Sequence, residues 1–187
     1  MEITQQFLND LKEKCGASHC AMIRVSDIVL DPGLRQNCEL NYCGEYGRTW
    51  VCPPHCGPIE ECIQKVKKYK EGIIIQTISP LEDSYDFEGM EEAGRYFKDV
   101  LVKAVHAVKE AARDQKDDRE MLVLSAGGCH RCETCAVKTN EPCRHPNEAF
   151  PSLESHGIFV SDLAAKAGLN YINGQNTVTY FGAVLMG

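Results

Sequence analysis

Three cysteines at successive two-residue gaps, Cys129, Cys132 and Cys135, with a fourth, Cys143, eight positions farther on, constrain this chain more than anything else in it. Two-residue gaps let one loop offer three sulfurs to three corners of a single iron–sulfur cubane, and a more distant cysteine closes the fourth corner. Structural zinc sites instead combine one close Cys-x2-Cys pair with a second pair far along the chain, so a third cysteine at the same spacing has no evident tetrahedral role. Residues 129–143 therefore read as the ligand loop of a [4Fe-4S] cluster. A second set, Cys38, Cys43, Cys52 and Cys56, is more widely spaced and fits either another cubane or a zinc site. The backbone around it is rich in Gly44, Gly47, Pro53, Pro54 and Gly57, which argues for a ligand-bearing loop over 34–57 without regular structure. Trp50, Tyr42 and Tyr46 could shield a metal there from water, or simply pack.

The chain has 187 residues, 11 of them cysteine, an odd number unlike a disulfide framework. No apolar run approaches the roughly 20 residues of a membrane span, and the first residues lack the basic and apolar regions of a secretion signal. A cytoplasmic protein is expected, in which thiols stay reduced and free to bind metal. A net charge of -7 excludes the concentrated basic face that nucleic acid requires. The one dense basic run, Lys65, Lys67, Lys68 and Lys70, reads as the solvated end of a helix.

Periodicity organises the rest into one metal-binding domain over 1–187. Ile3, Phe7, Leu8 and Leu11 predict an amphipathic helix over 2–14. Residues 21–25 and 28–30 read as extended, ending in the Asp31-Pro32-Gly33 turn. A helix opens at Pro58 and closes near Gly72, and the β-branched run over 72–78 marks a strand. Phe87, Met90, Ala93, Phe97, Val100, Leu101, Ala104 and Val108 predict a long core-facing helix over 86–116. A strand at 121–124 leads through Gly127 and Gly128 directly into Cys129. Residues 161–166 read as a short helix, and 170–172 with 177–181 as a closing hairpin. Strands alternating with helices favour an α/β (or α+β) fold, a mixed sheet flanked by helices with two cysteine-rich metal-binding loops at 38–56 and 129–143.

Cys15, Cys20 and Cys62 fall outside both sets and read as apolar filler, although Cys20 and Cys62 lie close enough in sequence to the ligand loops to replace an assigned ligand or serve the other loop's cluster. His55, His130 and His145 flank cysteines, with ligation open to them but a supporting role expected; His19, His106 and His156 read as structural. Arg131 and Arg144 could offset the charge of a thiolate-ligated cluster or be plain surface charges.

Four stretches, Cys43-Gly-Glu-Tyr-Gly-Arg-Thr-Trp-Val-Cys-Pro-Pro-His-Cys-Gly57, Gly128-Cys-His-Arg-Cys-Glu-Thr-Cys135, Pro142-Cys-Arg-His-Pro146 and Gly174-Gln-Asn-Thr-Val-Thr-Tyr-Phe-Gly182, resemble a family of small cysteine-rich proteins of anaerobic archaea and bacteria. The family is described as predicted metal-binding proteins of unknown function, and the resemblance spans nearly the whole chain. It implies metal binding by Cys38, Cys43, Cys52, Cys56, Cys129, Cys132, Cys135 and Cys143. Likeness to two-cluster ferredoxins is confined to the Cys-x2-Cys-x2-Cys run.

Three functions follow from these residues. Two closed [4Fe-4S] clusters would make an oxygen-sensitive single-electron carrier, its acidic surface docking on the basic patch of a redox partner protein. A cluster with only three protein ligands would leave one iron open for catalysis in a redox enzyme. Zinc in place of iron would make a stapled binding module. No nucleotide loop or paired-carboxylate arrangement stands out, and the glycine-bearing run 89–94 lies in a helical pattern.

Overall fold

The computed structural model describes residues 1–187. Helix α1, Gln5–Cys15, starts where the Thr4 hydroxyl accepts from the Phe7 N–H at 3.2 Å and stops at Gly16, whose positive φ terminates the turn. Strand β1, His19–Arg24, and helix α2, Leu34–Glu39, precede the first cysteine loop, and helix α3, Ile59–Lys67, follows it behind Pro58. Strand β2, Glu71–Pro80, the 28-residue helix α4, Phe87–Asp114, and strand β3, Met121–Leu124, lead to the second loop. Helix α5, Val160–Lys166, and strand β4, Thr177–Met186, complete the chain.

The sheet order is β1-β2-β4-β3, and every adjacent pair is antiparallel. The fold is thus α+β, and the expected mixed sheet is corrected to an antiparallel one. The apolar run Ile73-Ile74-Ile75 explains the difference. Ile73 and Ile75 join Phe97, Leu101 and Val184 in one core against α1 and α4, whereas Ile74 joins Val66, Leu163, Ala183 and Leu185 in another. A continuous apolar strand here records burial on both faces, which parallel pairing commonly produces but does not own.

Two further expectations give way. The terminal hairpin does not form: β4 is ten residues long and inserts between β2 and β3, its register running from Glu71 opposite Met186 to Pro80 opposite Thr177. Residues 170–172 dock by other means, with Gln76 donating to the Asn170 carbonyl at 2.8 Å and Tyr171 stacking on Phe181 at 6.0 Å. Residues 34–39 are helical rather than irregular, because the glycines and prolines responsible for that expectation begin only at Gly44. Of 28–30, only Leu30 makes a strand-like bridge, to Ile158. That bridge matters to the site, since it brings residues 153–158 alongside α2 and α3.

Candidate metal centre

The first cysteine loop hangs between α2 and α3. Cys38 sits on α2, Cys43 on the exposed crest of the loop, Cys52 is buried and Cys56 lies just ahead of α3. Burial pushes the Cys52 thiol up, and Glu45, Cys43 and Cys38 push it further. Burial likewise raises Cys38, with Arg35 opposing and Cys43, Glu154 and Glu39 adding to the rise. The sulfurs of Cys38, Cys43 and Cys52 therefore lie within one another's electrostatic reach. As thiolates they repel, and a cation among them removes that penalty.

Cys56 has a nearer companion that sequence reading had set aside as filler. Cys62, wholly buried on α3, donates to the Cys56 carbonyl at 3.5 Å, and the two thiols bias each other, Cys62 held down while Cys56 is pushed up. His156 and Arg35 stabilise the anionic partner. Arg35 reaches in from α2, is 9% exposed, and donates to the Gly57 and Ser155 carbonyls at 3.0 Å each. Its second terminal nitrogen lies 3.9 Å from Cys56 Sγ and 3.7 Å from Cys62 Sγ. His156, expected to be merely structural, is 2% exposed and anchored at 3.1 Å through Nδ1 to the Ser155 hydroxyl.

Three buried side-chain polar atoms in the chain have no hydrogen-bond partner, and two belong here: Arg35 Nε and Thr49 Oγ1. Unsatisfied donors in a buried site cost about 1–3 kcal/mol each, and the sulfurs of a metal centre are the kind of acceptor that would offset it. The residues at the first loop thus fit an anionic, sulfur-rich group.

The second loop is set by β3. Ser125 donates to the Pro151 carbonyl at 2.7 Å, and the chain then turns through Gly127, whose φ is 62°, toward Cys129. Cys129, Cys132, Cys135 and Cys143 line one small cavity, together with Arg131, Ala136, Arg144 and His145. Burial raises the Cys129 thiol, the Arg131 backbone N–H and Lys98 draw it down, and Cys143 and Cys135 push it back up. No three His, Cys, Asp or Glu side chains converge closely enough to hold a single ion.

The arginines of this loop are occupied by structure rather than free to offset a cluster's charge. Arg131 pairs with Asp99 of α4 at 2.9 Å and with Glu148 at 3.6 Å, and donates to the Lys98 carbonyl at 3.1 Å. Arg144 donates to the Thr134 carbonyl at 3.0 Å and sits 3.8 Å from Glu141, bracing the loop across its mouth.

The two loops touch. Trp50 Nε1 donates to the Glu141 carbonyl at 2.9 Å, and its ring meets His55 edge-on at 5.3 Å. The Glu45 side chain packs so tightly on Gly128 that a Cβ there would come 2.4 Å from a carboxylate oxygen. Lys98 of α4 donates to the Gly128 carbonyl; burial draws its ammonium down, while Cys129, Glu45 and Cys52 from both loops hold it up. Of the aromatics expected to shield the first loop, Trp50 is engaged and Tyr42, at 86% exposed, is not.

A family profile described as predicted metal-binding protein (DUF2284) matches residues 21–186, from β1 to the last residue of β4 and including all eight loop cysteines. The chain belongs to this family. DUF2284 carries the description "predicted metal-binding", and the cysteine content and clustering here accord with it. Comparisons with curated proteins and with solved structures give no match. No helix is long and apolar enough to cross a membrane.

Proposed function

We propose that this DUF2284 protein holds two [4Fe-4S] clusters, one in each cysteine loop, and delivers single electrons in the cytoplasm to a partner redox protein. The observation that supports the reading is the gathering of Cys129, Cys132, Cys135 and Cys143 around one small cavity, three of them at the two-residue gaps that suit a cubane. Four thiolates on one zinc, at about 2.3 Å each, would crowd to roughly 3.8 Å of one another. Four thiolates on four different irons stand farther apart, around a cubane rather than a single ion.

When bound, such clusters accept and release one electron at a time. The chain's own residues do the rest. Arg35 and Lys98 place positive charge beside the sulfurs, which favours the more reduced, more negative state. The contact of Trp50 with Glu141 and of Glu45 with Gly128 keeps the two loops adjacent. The net charge of -7 steers encounter with a basic partner surface.

One observation favours a second reading at the first loop. Cys56 is engaged with Cys62, while Cys38, Cys43 and Cys52 remain in mutual reach, a three-cysteine set that would leave one iron open to a substrate. Paramagnetic resonance of anaerobically purified protein, reduced with dithionite, tests both. The carrier reading requires two reducible signals, and Cys56→Ser should abolish one. If Cys56→Ser leaves both intact, the open-site reading replaces it at the first loop. A colourless protein containing zinc would overturn both.

A further inference from the structure

A cleft of about 520 Å³ opens between α4 and the glycine turn that precedes the second loop, within the range of small-molecule sites. It is distinct from the four-cysteine cavity and shares only Cys132 with it. Its apolar side is Met90 and Tyr180, the latter stacked on the fully buried Phe97 at 5.7 Å and anchored by a 2.9 Å hydrogen bond to the Met90 carbonyl. Space exists there because residue 94, in the middle of a long helix, is glycine. A Cβ at that position would reach 3.4 Å from the Tyr180 hydroxyl, ordinary contact, so the helix tolerates a side chain and the cleft alone forgoes one.

The opposite wall supplies donors. Ala126, Gly127 and Gly128 give their backbone N–H groups to no backbone acceptor, and Gly127 is open on the side a Cβ would occupy. Successive free N–H groups about a left-handed residue form a concavity suited to anionic oxygen. Half-buried Lys98 lines the same cleft, donates to the Gly128 carbonyl and forms no ion pair within 4 Å, so two of its three N–H donors stay available, whereas Arg95 is engaged with Glu91 at 2.8 Å. Glu133 also lines the cleft but is exposed, where solvent and salt screen it.

We infer that this cleft binds a small organic carboxylate, its apolar body against Met90 and Tyr180 and its carboxylate on Lys98 and the open Gly127 backbone. The occupant would lie against Cys132 and so beside the second centre. The inference stands on the cleft alone and does not depend on which metal the cysteines hold.

Calorimetric titration of the full, anaerobically purified chain tests it, with a series of monocarboxylates from butyrate to phenylacetate, and with inorganic phosphate and benzylamine as contrasts. Expected is saturable binding of one carboxylate per chain, at least about tenfold tighter than phosphate or benzylamine. Lys98→Met should weaken it about tenfold or more, the usual loss of one charged hydrogen-bond donor. Gly94→Leu should abolish it while leaving metal content as in the parent. Absence of saturable binding by every carboxylate, phosphate bound as tightly, or unchanged binding in Lys98→Met would each overturn the assignment.

Discussion

Replacing Arg35 with methionine removes two hydrogen bonds at once, each 3.0 Å long, to the Gly57 and Ser155 carbonyls. Bonds from a charged donor are worth roughly 1.5–3 kcal/mol apiece, so about 3–6 kcal/mol of interaction is lost. Methionine keeps much of the aliphatic packing and is spared the desolvation of a buried guanidinium, which in this protein also carries an unpartnered Nε. What remains is chiefly the cost of two carbonyls left bare, about 1–3 kcal/mol each, for a net loss of about 3 kcal/mol. In a chain of this length 1 kcal/mol moves Tm by roughly 2–4 °C, so Arg35→Met should melt about 6–12 °C lower. Arg35→Lys retains the charge but not the planar fork that spans two carbonyls, and should fall about midway. Circular dichroism melts under nitrogen, at equal scan rate and metal loading, measure the series. Metal analysis in parallel should show the Met variant losing metal from the first loop while the second keeps its own. An Arg35→Met protein that melts within about 2 °C of the parent and retains full metal would refute the idea that this residue ties α2, α3 and residues 153–158 around the first loop.

Cys129→Ser should lower iron by about four atoms per chain, read by metal analysis, and leave the first loop's complement in place. Arg119, together with the N-terminal ammonium, holds the Asp117 carboxyl below its ordinary value of 3.8. The stability it contributes is therefore present above about pH 4 and is lost as pH falls through its folded value, so Asp117→Asn should flatten the stability profile below about pH 4 in acid titrations followed by circular dichroism. A Cβ at Gly182 would come 2.9 Å from the Leu124 carbonyl and 3.0 Å from Phe97, and Gly182→Ala should lower stability by about 1–3 kcal/mol in thermal melts through overpacking. Trp50→Phe keeps the ring and deletes the 2.9 Å bond to Glu141; a loss of about 0.5–1.5 kcal/mol and faster amide exchange in residues 136–145 are expected.

Local pattern carried much of this architecture. The period of Phe97, Val100, Leu101, Ala104 and Val108 marks α4, and Thr4 and Gly16 bound α1, because helix periodicity and caps are written within a few residues. The cysteine spacings marked both loops for the same reason. What depends on residues distant in sequence was not legible. Whether β4 turns back on 170–172 or crosses to β2 is decided by which partner buries Ala183 and Leu185 beside Ile74. The pairing of Cys62 with His156 was not legible, since 94 residues separate them and long-range contacts such as the Leu30–Ile158 bridge and the Arg35–Ser155 hydrogen bond bring them together. Lys98 and Arg35 carry no spacing signal, because each sits one helix turn among ordinary polar residues and gains meaning from the loop it faces. Sequence proximity to cysteines left shielding and packing equally open for Tyr42, and the side chain does neither, being 86% exposed.

Iron and acid-labile sulfide per chain in anaerobically purified protein test the central claim most directly. The account predicts about eight irons and about eight sulfides, four of each per loop. Zinc without sulfide would contradict it.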